Sequence, residues 1–285
     1  GWEIMGKKHG KHQEEGEDGE ETLAKLGKLN GVLFPGGAGD DQYEAKARFI
    51  YEKAVEMNDS GDFFPLWGTC QGFEYLAMFA ADDEDDVLSV LQSHGVSIPL
   101  QFSVEPADTK MFHDAGDKAQ LFAQVPSSYM SHTMGVAPEK FTTDKGLGKM
   151  FTVTSTGHDC MTDATFVSTM ESPDYPFYGV QFHPEKQIYQ WNDDEGYNHY
   201  WDSIWLNRYL ADAFVKETRR NTNSFGDIPY PNASIFTIGN NQIVFRMEQT
   251  TANIVCMAPK GIDLPCLGFG HSPQLDLTVI GSTRQ

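Results

Sequence analysis

An α/β protein built on a mostly parallel sheet is predicted by three observations. Residues 31–81 read strand, loop, helix, strand, loop, helix, the alternation that builds a parallel sheet. Both apolar runs in that stretch end directly in glycine-containing turns, Pro35-Gly36-Gly37 and Gly68-Thr69-Cys70-Gln71-Gly72. Hydrophobic residues make up 40% of the 285 and aromatics 12%, enough apolar material for a core and too much for wholesale disorder.

The elements follow in order. Residues 1–22 are polar and mostly acidic, so they are expected to be disordered: they bury too little apolar surface to offset ordering. Thr22–Leu29 is a short amphipathic helix candidate. Gly31-Val32-Leu33-Phe34 has the character of a buried strand. Residues 41–57 carry Ala45, Phe49, Ile50, Ala54 and Val55 at helical spacing, with Asp40 or Asp41 as N-cap. Phe63–Trp67 is a second strand despite Pro65, and Phe73–Ala81 a helix, closed by a solvated acidic loop at Asp82–Asp86. The stretch 87–182 is strand-rich, with strands at 98–104, 128–132, 150–154, 165–170 and 178–182. Residues 200–216 form a helix whose Trp201, Trp205, Tyr209 and Ala213 recur at i, i+4, flanked by Ile204, Leu206, Leu210 and Phe214. Phe236–Met247 is expected to close as a hairpin around Asn240-Asn241, and 249–285 to be a tail. The domain is therefore expected to span 23–248.

Charge and cysteine content narrow the function classes. Asp and Glu total 41 against 21 Lys and Arg, a formal charge of −20, which repels nucleic acid and anionic membranes. Four cysteines are too few for a disulfide scaffold, and Cys160, Cys256 and Cys266 lack zinc-site spacing. No apolar run approaches a membrane span, and no signal-peptide stretch follows Gly1. Asn58-Asp59-Ser60 and Asn232-Ala233-Ser234 match the glycosylation sequon at about the frequency chance provides. Arg219-Arg220 complements the dipole of the helix it ends. His199 opens that helix and is expected to face solvent.

Three short stretches carry chemistry. Cys70 sits between two glycines at a strand-to-helix junction, where a tight bend projects its side chain out of the sheet and the helix N-terminus favours thiolate. Taken alone, such a cysteine is as readily one more buried thiol. Tyr178–Glu185 is an apolar strand ending in His183-Pro184-Glu185. Pro184 is expected to keep the chain extended, so that residues i and i+2 share a side and Glu185 reaches one nitrogen of His183, leaving the other free as a base. Pro35-Gly36-Gly37 ends the first strand, and loops at the carboxyl ends of adjacent parallel strands converge on one crevice. There the Gly37 and Gln71 amides could hold an oxyanion.

In this order the three stretches resemble the class I glutamine amidotransferase-like superfamily. Asn30–Gly37, Phe64–Glu74, Phe166–Glu171 and Tyr178–Lys186, followed by Tyr189-Gln190-Trp191, look more narrowly like the γ-glutamyl hydrolase family. The resemblance implies a flavodoxin-like three-layer sandwich. It also implies a Cys–His–Glu hydrolase with Cys70 as nucleophile, His183 as base then acid, Glu185 orienting His183, and Gly37 and Gln71 at the oxyanion. His132, on the strand Ser128–His132, and Gly36 are implied at the substrate. Folyl-poly-γ-glutamates are the implied substrates, with no cofactor, no metal, no nucleic acid and no membrane insertion; a homodimer is left open. Family members act in lysosomes or vacuoles or outside the cell. The family has a strand and a helix ahead of its Pro-Gly-Gly strand, where this chain has its acidic stretch, so an unpaired sheet edge is expected. A glutaminase subunit shares all three motifs, and an inactive fragment is the alternative if that edge prevents folding. The substrate is itself a polyanion, so Lys186 and backbone amides would have to receive its carboxylates against the chain's own field, and moderate salt should improve binding.

Overall fold

The computed structural model describes residues 17–192, 194–224, 242–246 and 253–257. Helix α1 (Glu17–Leu26) leads into strand β1 (Gly31–Phe34), helix α2 (Asp41–Asp59), strand β2 (Leu66–Thr69) and helix α3 (Gln71–Ala80). Strands β3 (Leu88–Ile98), β4 (Gln101–Phe102) and β5 (Ser128–Val136) follow, then the short helices α4 (Lys140–Thr143) and α5 (Lys145–Met150). Strands β6 (Thr152–Asp159), β7 (Ala164–Glu171) and β8 (Phe177–Val180) precede helices α6 (Pro184–Tyr189) and α7 (Trp201–Thr218), and the chain ends in strands β9 (Gln242–Arg246) and β10 (Asn253–Met257).

Eight strands form one sheet in the order β4-β6-β7-β8-β2-β1-β10-β9, while β3 and β5 pair separately. The centre is parallel, β8 with β2, β2 with β1 and β1 with β10, and the flanks are antiparallel. The strand-rich middle of the sequence thus builds one antiparallel flank from β4, β6 and β7, the separate β3–β5 ladder, and the central strand β8. β1 is buried on both faces: Val32 and Phe34 join the layer formed with α2 and α3, and Leu33 joins the layer formed with α7 and the 3-10 segment His113–Ala123. A central parallel strand has helices on both sides, so it reads as a continuous apolar run.

Local chemistry sets the boundaries. The Asp40 carboxylate accepts from the Tyr43 amide at 3.0 Å and starts α2, whose buried face is Tyr43, Ala47, Ile50, Tyr51 and Ala54. β2 begins at Leu66 and not at Phe63, because Pro65 has no N–H to donate; its carbonyl still receives the Val32 amide at 3.0 Å. The strand expected at 98–104 divides at Pro99 into the end of β3 and the two-residue β4. In α7 the apolar positions expected to face the core split. Leu206, Leu210 and Phe214 are buried, together with Ser203, Asn207 and Ala211, whereas Trp201 is 78% exposed and the Trp205–Tyr209 stripe lies at the margin.

Both ends depart from expectation. α1 starts at Glu17, inside the segment expected to be disordered, and buries its Thr22 and Leu26; acidic residues at a helix N-terminus are stabilised by the positive end of the dipole there. The sheet edge expected beside β1 is covered: β10 runs parallel to β1 with Val32 opposite Val255, and β9 pairs antiparallel to β10. Residues 253–257, expected within a tail, therefore belong to the sheet. β9 pairs with β10 downstream; the first strand and the Asn240-Asn241 turn of the expected hairpin lie outside the described residues, as do residues 1–16 and Asn232. Asn58 is engaged on both sides, donating to the Ala54 and Phe64 carbonyls and accepting from the Phe64 amide. Among the described residues no helix is long and apolar enough to cross a membrane.

Candidate active site

β1, β2 and β8 are neighbours and parallel, so the loops at their carboxyl ends meet. Each of the three chemical stretches lies on one of those loops. Cys70 follows β2 directly, as the residue before α3, with φ 51° and ψ −111°. A side-chain-bearing residue adopts that backbone only under constraint, at a cost of about 1–3 kcal/mol. The constraint is visible: the Cys70 amide donates to the Val180 carbonyl at 2.9 Å and its carbonyl receives the Glu74 amide at 3.0 Å. A Cβ on Gly68 would stand 2.5 Å from the Gly72 carbonyl oxygen, and one on Gly72 would stand 2.1 Å from that of Phe34. The elbow is thus pressed against β1, and only glycine fits on either side of Cys70.

His183 caps α6 with extended backbone, φ −108° and ψ 90°, and Pro184 is the first helical residue. Glu185 reaches His183 because the chain turns into a helix there, not because it stays extended as expected. Proline at a helix start costs nothing, since its missing N–H would be unpaired anyway. His183 Nδ1 donates to Glu185 Oε1 at 2.7 Å, and the His183 amide donates to the Tyr129 carbonyl at 2.9 Å. Burial by itself would lower the His183 pKa, but the Glu185 carboxylate and the Cys70 sulfur outweigh it and raise it to about 10. Burial would likewise raise the Glu185 pKa, and the neighbouring imidazole outweighs it and lowers it. Both partners thus favour their charged forms.

The glycine loop lies over this pair. A Cβ on Gly36 would come within 2.6 Å of His183 Cε1 and 2.9 Å of the Cys70 Cβ. The Gln71 side chain braces the loop by accepting the Gly39 amide at 2.8 Å. As the first residue of α3, Gln71 has an N–H without an intrahelical acceptor. Gly37 is exposed, and neither its amide nor that of Gln71 donates to another described group.

His132 enters from β5, beside Ser131, whose carbonyl lies 3.9 Å from Cys70 Sγ. Its Nδ1 donates to the Met134 carbonyl at 2.9 Å, and its Nε2 is buried with no partner. Burial, stronger than the pull of that carbonyl, lowers the His132 pKa to about 4. His132 therefore sits neutral with an acceptor nitrogen.

Glu74 belongs to none of the three chemical stretches, yet it lies beside them. It lies one helical turn after Cys70, a spacing that puts both on one face of α3 and could have flagged it. Gln181 Nε2 donates to Glu74 Oε1 at 3.0 Å. Burial raises the Glu74 pKa to about 7, against the opposing pulls of Gln181 and His183. A carboxyl that keeps its proton longer when folded than when unfolded makes the folded state lose stability as pH rises from about 4.5 to about 7. Glu74→Gln is expected to remove that slope, so the stability difference between wild type and variant should drift by up to about 3 kcal/mol across the window. Urea unfolding midpoints at several pH values check this, and parallel curves would contradict it.

Among the described residues no group of three or more His, Cys, Asp or Glu side chains could hold a metal ion. The Cys160 thiol is exposed and far in sequence from these elements.

Residues 11–200 match the glutamine amidotransferase class-I family. The chain is 34% identical over 222 residues to the γ-glutamyl hydrolase of Bos taurus, covering 76% of this chain and 69% of that protein. The chain belongs to the γ-glutamyl hydrolase family. It is also 35% identical over 201 residues to the Homo sapiens γ-glutamyl hydrolase, covering 69% of this chain and 62% of that one. γ-Glutamyl hydrolase B of Dictyostelium discoideum is 33% identical over 213 residues, covering 73% and 61%. The chain thus spans about three-fifths of the length of the human and Dictyostelium relatives. The glycine loop, elbow cysteine and His-Pro-Glu turn of this chain gather at the carboxyl edge of its sheet.

Proposed function

We propose that this γ-glutamyl hydrolase family member cleaves γ-glutamyl amide bonds, of folyl-poly-γ-glutamates foremost, through a thioester on Cys70. The observation that carries the reading is the hydrogen-bonded His183–Glu185 pair with Cys70 acting on the same imidazole. The sulfur attacks the γ-carbonyl carbon, and the oxyanion is received by the Gly37 and Gln71 amides. The C–N bond then breaks, and the charged His183 passes its proton to the leaving amine. Acylation removes the sulfur's charge, one of the groups holding the imidazole protonated. Neutral His183 can then take a proton from water, which attacks the thioester and releases the acid and the thiolate. Glu185 keeps Nδ1 protonated throughout, leaving Nε2 to do this work. The acceptor nitrogen of His132 suits the N–H of the scissile amide.

Above about pH 4 His132 is neutral, and below about pH 7 Glu74 is protonated, while His183 stays charged across that interval and holds the Glu185 carboxyl below its usual range. That range suits an acidic compartment such as a lysosome or vacuole, or an acidic extracellular space. Lys186, next to Glu185 and half-buried, is the nearest cation along the chain to meet a glutamyl carboxylate.

Mass spectrometry of a pteroyl-poly-γ-glutamate incubated with the protein is the direct test. Products shortened by whole glutamate units or by γ-linked glutamate oligomers are expected. An unchanged substrate, with glutamine hydrolysed in the presence of a synthase partner, would move the assignment to a glutaminase subunit.

A further inference from the structure

Four aromatic rings form a ladder that starts behind His183 and ends in solvent. Tyr129 is fully buried, and its carbonyl receives the His183 amide. Its ring centroid is 4.5 Å from that of Tyr197, and Tyr197 is 6.1 Å from His199. His199 lies flat on Trp191, with centroids 3.7 Å apart and planes 6° from parallel. Exposure rises along the ladder: Tyr197 and His199 are half-buried, and Trp191 is 75% exposed.

The inner rungs meet at an angle, 54° and 67°, so His199–Trp191 is the stacked pair, and the three inner rings are pinned by hydrogen bonds at their edges. Tyr129 Oη donates to Glu195, Tyr197 Oη donates to Gln190 Oε1 at 2.9 Å, and His199 Nδ1 donates to the Gln187 carbonyl at 2.9 Å. The segment carrying them is tied to β3 through Gly196, whose amide donates to Gly95 and whose carbonyl receives the Ser97 hydroxyl. A large indole held rigid by a stacked imidazole, yet three-quarters in water, gains little from burial in the folded chain. Its rigidity means that a second ring could stack on it with little loss of conformational freedom. α6 and Gln190 lie between it and His183, and α6 alone spans about 9 Å along its axis. That is about the reach of two or three extended residues.

We propose that Trp191, backed by His199, is a stacking subsite for a planar heteroaromatic group carried at the non-reacting end of the γ-glutamyl substrate. The subsite rests on the γ-glutamyl hydrolysis reading and adds where the part of the substrate that is not glutamate docks. An aromatic head on the indole would set the scissile amide at Cys70 through an arm of about that reach. Stacking on an indole favours flat rings of many kinds, so the subsite selects for a planar head and tolerates variation in its edges.

Steady-state kinetics on two substrates test it: a pteroyl-γ-glutamyl oligomer, and the same oligomer capped with acetyl. The ratio of their KM values is expected to shift about tenfold against the pteroyl substrate in Trp191→Ala, with kcat for the pteroyl substrate within about twofold, and Trp191→Phe is expected to restore most of it. Tyr200, exposed to a similar degree but outside the ladder, serves as control. An unshifted ratio in Trp191→Ala, or an equal shift in Tyr200→Ala, overturns the subsite. If wild type cleaves neither substrate, the hydrolysis reading fails separately, and pteroic acid binding by wild type and Trp191→Ala then decides the subsite: equal affinity overturns it. Sedimentation that shows a wild-type dimer and a Trp191→Ala monomer also overturns it, because the indole would then serve a second copy of the chain.

Discussion

Cys70→Ala is expected to lower kcat/KM on a γ-glutamyl amide by about 10⁴-fold or more. The size follows from the role: without the sulfur no thioester forms, and His183 and Glu185 have no nucleophile to serve. Groups that act as one unit lose their effect together, so His183→Ala should cost nearly as much, and the double variant little more than either single one. On the proposed mechanism the loss is expected in kcat, because the substitution leaves Gly36, Gly37 and His132, the residues proposed to receive the substrate, in place. A Cys70→Ala protein keeping a tenth of wild-type activity would refute the assignment.

Gly72→Ala is expected to destabilise the fold by about 3 kcal/mol or more, the upper range for forcing extra atoms into a packed interior. Its Cβ would stand 2.1 Å from the Phe34 carbonyl oxygen and 2.7 Å from the Phe34 Cβ. Backbone oxygen cannot swing aside, so β1 would have to move, and β1 is hydrogen-bonded on both sides. Gly27→Ala provides the contrast: its nearest contact would be an ordinary 3.9 Å, and a change within about 0.5 kcal/mol is expected. Chemical denaturation of both variants measures the difference, and similar midpoints would show that the elbow yields.

Much of the site is legible in the chain because its signals are local. Gly68-Thr69-Cys70-Gln71-Gly72 announces a tight strand-to-helix turn through residues that touch one another within a few positions, and the structure bends there. His183 and Glu185 are two residues apart, so their contact needs only a local backbone path, though the path is a helix start and not an extended strand. Three features escape such reading. The neutral state of His132 depends on burial by distant segments, as does that of Glu74. The Trp191 ladder joins Tyr129 to residues more than sixty positions later. The Gln71 side chain belongs to the loop at Gly39 and not to its own helix.

The amino-acid sequence by itself determined the α/β alternation, the elbow that presents Cys70 and the pairing of His183 with Glu185, since each follows from residues close together in the chain. The tertiary structure alone decided what lies beside β1. Residues 253–257 lie in a stretch of little periodicity, yet β10 pairs in parallel with β1 and β9 lies outside it. Parallel pairing needs no turn between its partners, and its hydrogen bonds use backbone groups that every residue other than proline carries in full. Nothing in the side-chain pattern therefore names the partner; only an available edge in the folded sheet does.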